Sequence, residues 1–215
     1  MSGAEMARFG AVVGGDLLSI FVPGSGTLTH IVNKVIERRR ERAAEILLQE
    51  LSSGLHGPVI FDNLDVEPVV AMTLRISRAV SDGTSMRNIR FLAQVVAGLK
   101  KNRLLSEDAF LKWSKIVESL TRDELLVVGF AYRATLHRKG GDEREVDTAF
   151  RDALTDMCRA AGIDDNERTF LCAAVSRTGL LVPVSAWNGT AYHPSKLLRE
   201  LGTLIDLTPP FSEEV

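Results

Sequence analysis

Cysteine is scarce in this sequence of 215 residues, which holds two, Cys158 and Cys172. Two thiols are too few for a disulfide framework or a four-ligand zinc site, so both read as small apolar core residues. Long apolar runs are missing too. No stretch of about 18 uncharged apolar residues occurs, which argues against a transmembrane span. Neither sign of charge dominates: 26 Lys and Arg face 28 Asp and Glu, a formal net charge of -2. A general attraction to nucleic acid or to anionic membranes is thereby excluded, and any such binding needs a local patch. What remains is ordinary for a folded domain, 45% apolar and 25% charged residues. A chain of that length and composition buries a substantial core.

Catalytic patterns are equally sparse. The histidines His30, His56, His137 and His193 fall in unrelated segments, with no H-E-x-x-H or C-x-x-C spacing. They read as surface or capping residues, and no metal site is expected. Gly14-Gly15 and Gly24-Ser25-Gly26 lack the spacing of phosphate-binding loops. The second run precedes a helix whose first amides could hold an anion, although a flexible hinge suffices to explain it. Ser25 and Ser185 sit outside any G-x-S-x-G elbow, so a hydrolase triad has no foothold. Asp164-Asp165 falls at a helix start, where carboxylates cap free amides. The expectation is a protein that is not an enzyme, with no catalytic, cofactor-binding or metal-binding residue and no cofactor.

Residues 1–26 read as an apolar, flexible arm. Gly10 to Gly26 (GAVVGGDLLSIFVPGSG) is interrupted by Asp16 and turned by Pro23, with no basic start or cleavage site. A secretory signal is therefore not expected, and the protein reads as cytoplasmic. Such an arm docks on a core or a partner, or touches a membrane surface.

Helical periodicity dominates the rest. Leu28 to Leu51 carries an apolar stripe of Leu28, Val32, Val35, Ile36, Ala43, Ile46, Leu47 and Leu51, with Thr27 as cap and Gly54 as stop. Gly57, Pro58, Asp62 and Asn63 read as loop, and Asp65 as the cap of a helix over Val66 to Val80. Ser85 to Lys101 buries Ile89, Leu92, Ala93, Val96 and Leu99. Ser106 caps a helix with a stripe of Phe110, Trp113, Val117 and Leu120. Thr121 and Glu124 form a capping box that opens a fifth helix, which stops near Lys139-Gly140-Gly141. Two more helices follow, from Asp142 to Gly162 and from Asp164 or Asp165 to Gly179.

The end of the chain differs. Leu180 to Val184 and Thr190 to His193 read as short strands around the turn Trp187-Asn188-Gly189, with Pro183 demoting the first to an edge. Ser195 to Ile205 reads as a final helix. The fold class expected is all-α, a bundle of seven to eight helices with a short C-terminal β-hairpin in winged-helix-like order. Residues 27–139 form its N-terminal bundle and 142–208 a C-terminal helical, winged-helix-like part, with one continuous domain as the alternative.

One charge feature stands out. Lys34, Arg38, Arg39, Arg40 and Arg42 crowd nine positions, against Glu37 and Glu41. They form either a solvated face with pairs at four-residue spacing or a patch for phosphates or an acidic partner. Lys100, Lys101 and Arg103 complement the dipole at a helix end. A DNA-reading wing would need a basic recognition helix. Lys196 and Arg199 face Glu200, and Arg168 and Arg177 face Glu167, so the case for DNA is thin.

The order FVPGSG, VIERRRERAAEILLQEL, IRFLAQVVAGLKKN and FLKWSKIVESLTRDELLVV, followed by RTGLLVP and AYHPSKLLRELG, resembles a loose class of helical proteins from bacteria and prophages. That class includes the abortive-infection alpha type. The resemblance spans residues 20–205 and follows hydrophobic order rather than invariant chemistry. It implies an all-α body and a role in phage defence or exclusion, and it brings no catalytic residue. The mean hydropathy of +0.06 adds the expectation of a buried face between copies or with a protein partner. The alternatives are a DNA-binding regulator using the C-terminal wing and a membrane-active effector using the N-terminal arm.

Overall fold

A computed structural model of the chain describes residues 26–136, 143–186 and 189–208. The apolar arm before Gly26, His137, the Lys139-Gly140-Gly141 stop and Trp187-Asn188 lie outside the described residues. Among those described there are eight α-helices and one two-stranded antiparallel sheet at the C-terminal end. They gather into two compact units that divide between Glu118 and Ser119. The sequence reading set its break between residues 139 and 142.

The first unit holds α1 (Gly26–Ser53), a 3-10 turn (Asn63–Asp65), α2 (Val66–Ser81), α3 (Met86–Lys101) and α4 (Glu107–Ser119). α3 is its centre. Every residue from Asn88 to Leu99 except Arg90 is buried, including Ile89, Leu92, Val95 and Val96. A helix apolar on nearly all sides has to be surrounded, and α1 and α2 both pack on it. α1 contributes Ala43, Ile46 and Leu47 to this core, together with buried Glu50, whose Oε1 meets Arg90 Nε at 3.3 Å. Val35 was expected on the buried stripe and is exposed instead. At about 100° per residue it falls only about 20° beyond Ile46, so its exposure comes from its place eight residues before Ala43 and not from helix phase. Thr27 is not the cap expected, because α1 already begins at Gly26.

Caps set the remaining boundaries. Ser85 Oγ accepts the Asn88 amide at 3.2 Å, and the Asn88 side chain donates to the Val117 carbonyl at 2.9 Å, tying the start of α3 to the end of α4. Ser106 Oγ accepts the Ala109 amide at 3.2 Å at the start of α4.

The second unit holds α5 (Arg122–Leu136), α6 (Glu143–Ala161), α7 (Asp165–Ser176), β1 (Leu181–Ala186), β2 (Gly189–Pro194) and α8 (Lys196–Gly202). The capping box opens α5 as expected: Thr121 N–H donates to Glu124 at 2.7 Å and Glu124 N–H to Thr121 Oγ1 at 3.3 Å. α6 buries Val146, Phe150, Leu154 and Cys158 at four-residue spacing against α5. Gly162, at φ +70°, turns the chain into α7, whose cap Asp164 accepts the amides of Asn166 and Glu167. α8 ends at Gly202 rather than at Ile205, and Leu204, Ile205 and Leu207 are buried after it.

The hairpin register pairs Leu181 with Pro194 and Pro183 with Tyr192. Ser195 N–H donates to the Leu180 carbonyl, so Leu180 and Ser195 form a hydrogen-bonded pair. Alternation then puts Pro183 and Pro194 at positions whose nitrogens face outward. Each free edge thus carries a proline where no ladder bond is lost, a device that discourages edge-to-edge pairing.

Candidate functional site

The five residues of the basic stretch do not act together. Arg39 Nη2 donates to the Thr84 carbonyl at 2.8 Å, and Arg40 Nη2 reaches Ser81 Oγ at 3.5 Å. Both guanidinium groups lie along the turn between α2 and α3, where they fasten α1 to that turn. Lys34, Arg38 and Arg42 are exposed along one line of α1 at four-residue spacing. Glu37, Glu41 and Glu45 run beside them, and Arg42 meets Glu45 at 3.9 Å. Two stripes of opposite sign side by side leave a weak field, and exposed pairs of this kind contribute little.

Asp65 and Lys100 take roles the sequence did not indicate. Asp65 makes no side-chain cap on α2. Its carboxylate instead accepts the Asp62 amide at 2.7 Å, while Asp62 accepts the Leu64 amide at 2.9 Å. Lys100 Nζ then bridges Asp62 at 3.0 Å and Asp65 at 2.5 Å. Lys100 therefore locks the 3-10 turn onto the end of α3 as well as serving its dipole. The Lys100 ammonium holds the Asp62 carboxyl below its ordinary range, and hydrogen bonds to Asp65 and Asp62 hold Lys100 above its own. A shallow cleft of about 450 Å³ opens beside this cluster, with Val59, Ile60 and Leu64 on its wall and Lys101 and Arg103 at its rim. Its buried charge is already satisfied internally.

In the second unit the helix–turn–helix–hairpin order is present, and several of its basic groups lie near a carboxylate. Arg168 meets Asp165 at 3.1 Å, Arg177 meets Glu124 at 3.9 Å and Lys196 meets Glu200 at 3.9 Å. α7 opens with Asp165 and Glu167 in its first turn, signs that repel a phosphate backbone. His193 Nδ1 lies 2.5 Å from Asp147, an ion pair when protonated, which pins β2 to α6. Cys158 and Cys172 are buried in the core, and burial pushes both thiols up, Cys172 to about 12.

Among the described residues, one surface feature that packing leaves unexplained is on α2. Val69, Met72, Ile76, Ala79 and Val80 are buried on one side. Next to that side around the helix, Val66, Val70 and Leu74 are 57%, 47% and 60% exposed, and Leu64 just before them is 90% exposed. Four-residue spacing lines these three along the helix as one apolar stripe. Reading Val66 to Val80 as a helix did not single this stripe out. The signal was there: two apolar sets, offset by a residue, in a helix that caps one side of a bundle. Contiguous exposed apolar surface of this kind marks interaction sites.

Among the described residues no group of His, Cys, Asp and Glu could hold a metal ion, and no helix is long and apolar enough to cross a membrane. No protein-family model matches the chain, and no curated protein or solved structure matches it.

Proposed function

We propose that this protein is a non-enzymatic helical module that works by association with protein, and that the outward face of α2 is its working surface. The observation that carries the reading is the line of Val66, Val70 and Leu74, half exposed or nearly so beside the face of the helix that is already buried. Keeping such a stripe in water is unfavourable by about 25 cal/mol for every Å² that a partner would cover. The resemblance of its hydrophobic order to abortive-infection proteins gives the module a setting, the defence of a bacterium against phage.

Photo-crosslinking from position 70 in the intact chain, in living bacteria, tests the surface. Position 41 on α1 is the control. Protein adducts specific to position 70 support the reading. Absence of adducts, or equal adducts at position 41, overturns it. Plating of phage on cells that express the chain, with and without Val70→Asp, tests the setting.

A second reading, duplex binding by the C-terminal module, draws only on its helix–turn–helix–hairpin order. Titration of a labelled random duplex at two salt concentrations tests it. Binding that falls steeply with salt and weakens on neutralising Lys196 and Arg199 would favour it.

A further inference from the structure

We infer that the partner of the α2 face is a second copy of this chain, with the two α2 helices packed antiparallel about a two-fold axis. The inference rests on the reading of that face as an association surface, and adds who covers it and in what register.

The argument is one of self-complementarity, which a two-fold interface demands. Val70 and Leu74 lie on either side of Met72 in sequence. Glu67 and Arg78, both exposed, lie on either side of a point between Met72 and Thr73. At a rise of about 1.5 Å per residue, Glu67 and Arg78 each sit about 8 Å from that point along the axis, in opposite directions. Reversing the helix about it therefore brings Glu67 level with Arg78 of the second copy, twice, and Val70 within about one residue's rise, about 1.5 Å, of the level of Leu74 of the second copy.

The angular positions agree. At about 100° per residue, Leu74, Glu67 and Arg78 fall within about 40° of one another, on one flank of the stripe. A two-fold axis perpendicular to the helices sets like flank against like flank, so the acid and the base meet across the contact. In a parallel pair the flanks of the two copies lie on opposite sides of the contact, and Glu67 would not reach Arg78 of the second copy. Ala71, Thr73 and Ser77, half-buried and small, border the stripe. They permit the separation of about 8–10 Å at which helices pack. The apolar line supplies the affinity, and the two ion pairs, at its rim, set the direction.

Sedimentation equilibrium of the full chain, from about 1 to about 100 µM, reads the outcome as a dimer constant. The wild type is expected to dimerise. Glu67→Arg and Arg78→Glu each raise the constant roughly tenfold or more, and the doubly reversed chain returns to within about threefold of wild type. Val70→Asp is expected to be monomeric with an unchanged helical circular dichroism spectrum. A wild type that stays monomeric throughout overturns the inference. Adducts of another mass from position 70 would still leave the association surface standing. A dimer indifferent to both single reversals overturns the antiparallel register.

Discussion

The hydroxyl of Tyr132 on α5 donates a 3.1 Å hydrogen bond to the carbonyl of Gly202, the last residue of α8. The Tyr132 ring also occupies the space into which a β-carbon at position 202 would project. Glycine at 202 is thus a packing requirement, because the ring and the α8 carbonyl come together only without a side chain between them. Gly202→Ala is expected to cost about 1–3 kcal/mol through overpacking. Tyr132→Phe, which removes only the hydrogen bond, should cost about 1 kcal/mol. Urea unfolding midpoints check both, and an alanine at 202 as stable as glycine would refute this account.

Asn88 joins two helices that the chain separates by a turn and a loop. Its side chain accepts from Ser85 Oγ at 3.0 Å and donates to the Val117 carbonyl at 2.9 Å, inside the core. Asn88→Ala leaves a buried carbonyl without that donor, and about 1–3 kcal/mol of stability should go with it. Asn102→Ala, at the exposed end of α3, should stay within about 0.5 kcal/mol. The contrast between the two variants in the same unfolding assay is the test.

The Lys100 cluster makes stability depend on pH in a definite direction. Asp62 titrates below its ordinary 3.8, chiefly through its hydrogen bond from Lys100. Its contribution is therefore present above that ordinary value and is lost as pH falls through the lowered one. Lys100 titrates above its ordinary 10.5, so its contribution is present below 10.5 and is lost as pH rises through the raised value. The stability gap between wild type and Lys100→Met is expected to be flat from about pH 5 to about pH 10 and to narrow at both ends. Denaturation across a pH series measures it; a gap that holds constant into strong acid and strong base contradicts the assignment.

Burial raises the Cys172 thiol to about 12 and pushes Cys158 up as well. At neutral pH the native thiolate is scarce, and a disulfide reagent should label the folded protein slowly. Labelling should accelerate only as denaturant opens the second unit. Rapid, complete labelling of both thiols without denaturant would show that they are not core residues.

The parts of the fold legible in the sequence are those decided within four residues. Ser106 and Asp164 cap the helices expected of them, Thr121 with Glu124 closes its box, and Ser85 and Ser195, read as first helical residues, are the caps just before them. Caps and apolar spacing are local, so one sequence carries them whole. The hairpin was legible for the same reason, from turn residues between two short apolar runs, although both strands extend to Ala186 and from Gly189.

Everything that concerns a surface was settled at long range. Five basic residues in nine positions look alike in a sequence. Arg39 and Arg40 turn inward only because Thr84 and Ser81 lie 45 and 41 residues away, at a turn that α1 happens to cross. Asp65 resembles a helix cap until Lys100, 35 residues on, is brought to its carboxylate. The apolar residues of α2 are no different: periodicity shows two offset sets, Val69 with Met72 and Ile76, and Val66 with Val70 and Leu74. The sequence by itself determined that α2 would be a helix with apolar residues on both. Only packing against α1 and α3 decided which set is covered, because burial depends on what lies opposite, and that is a property of the assembled chain.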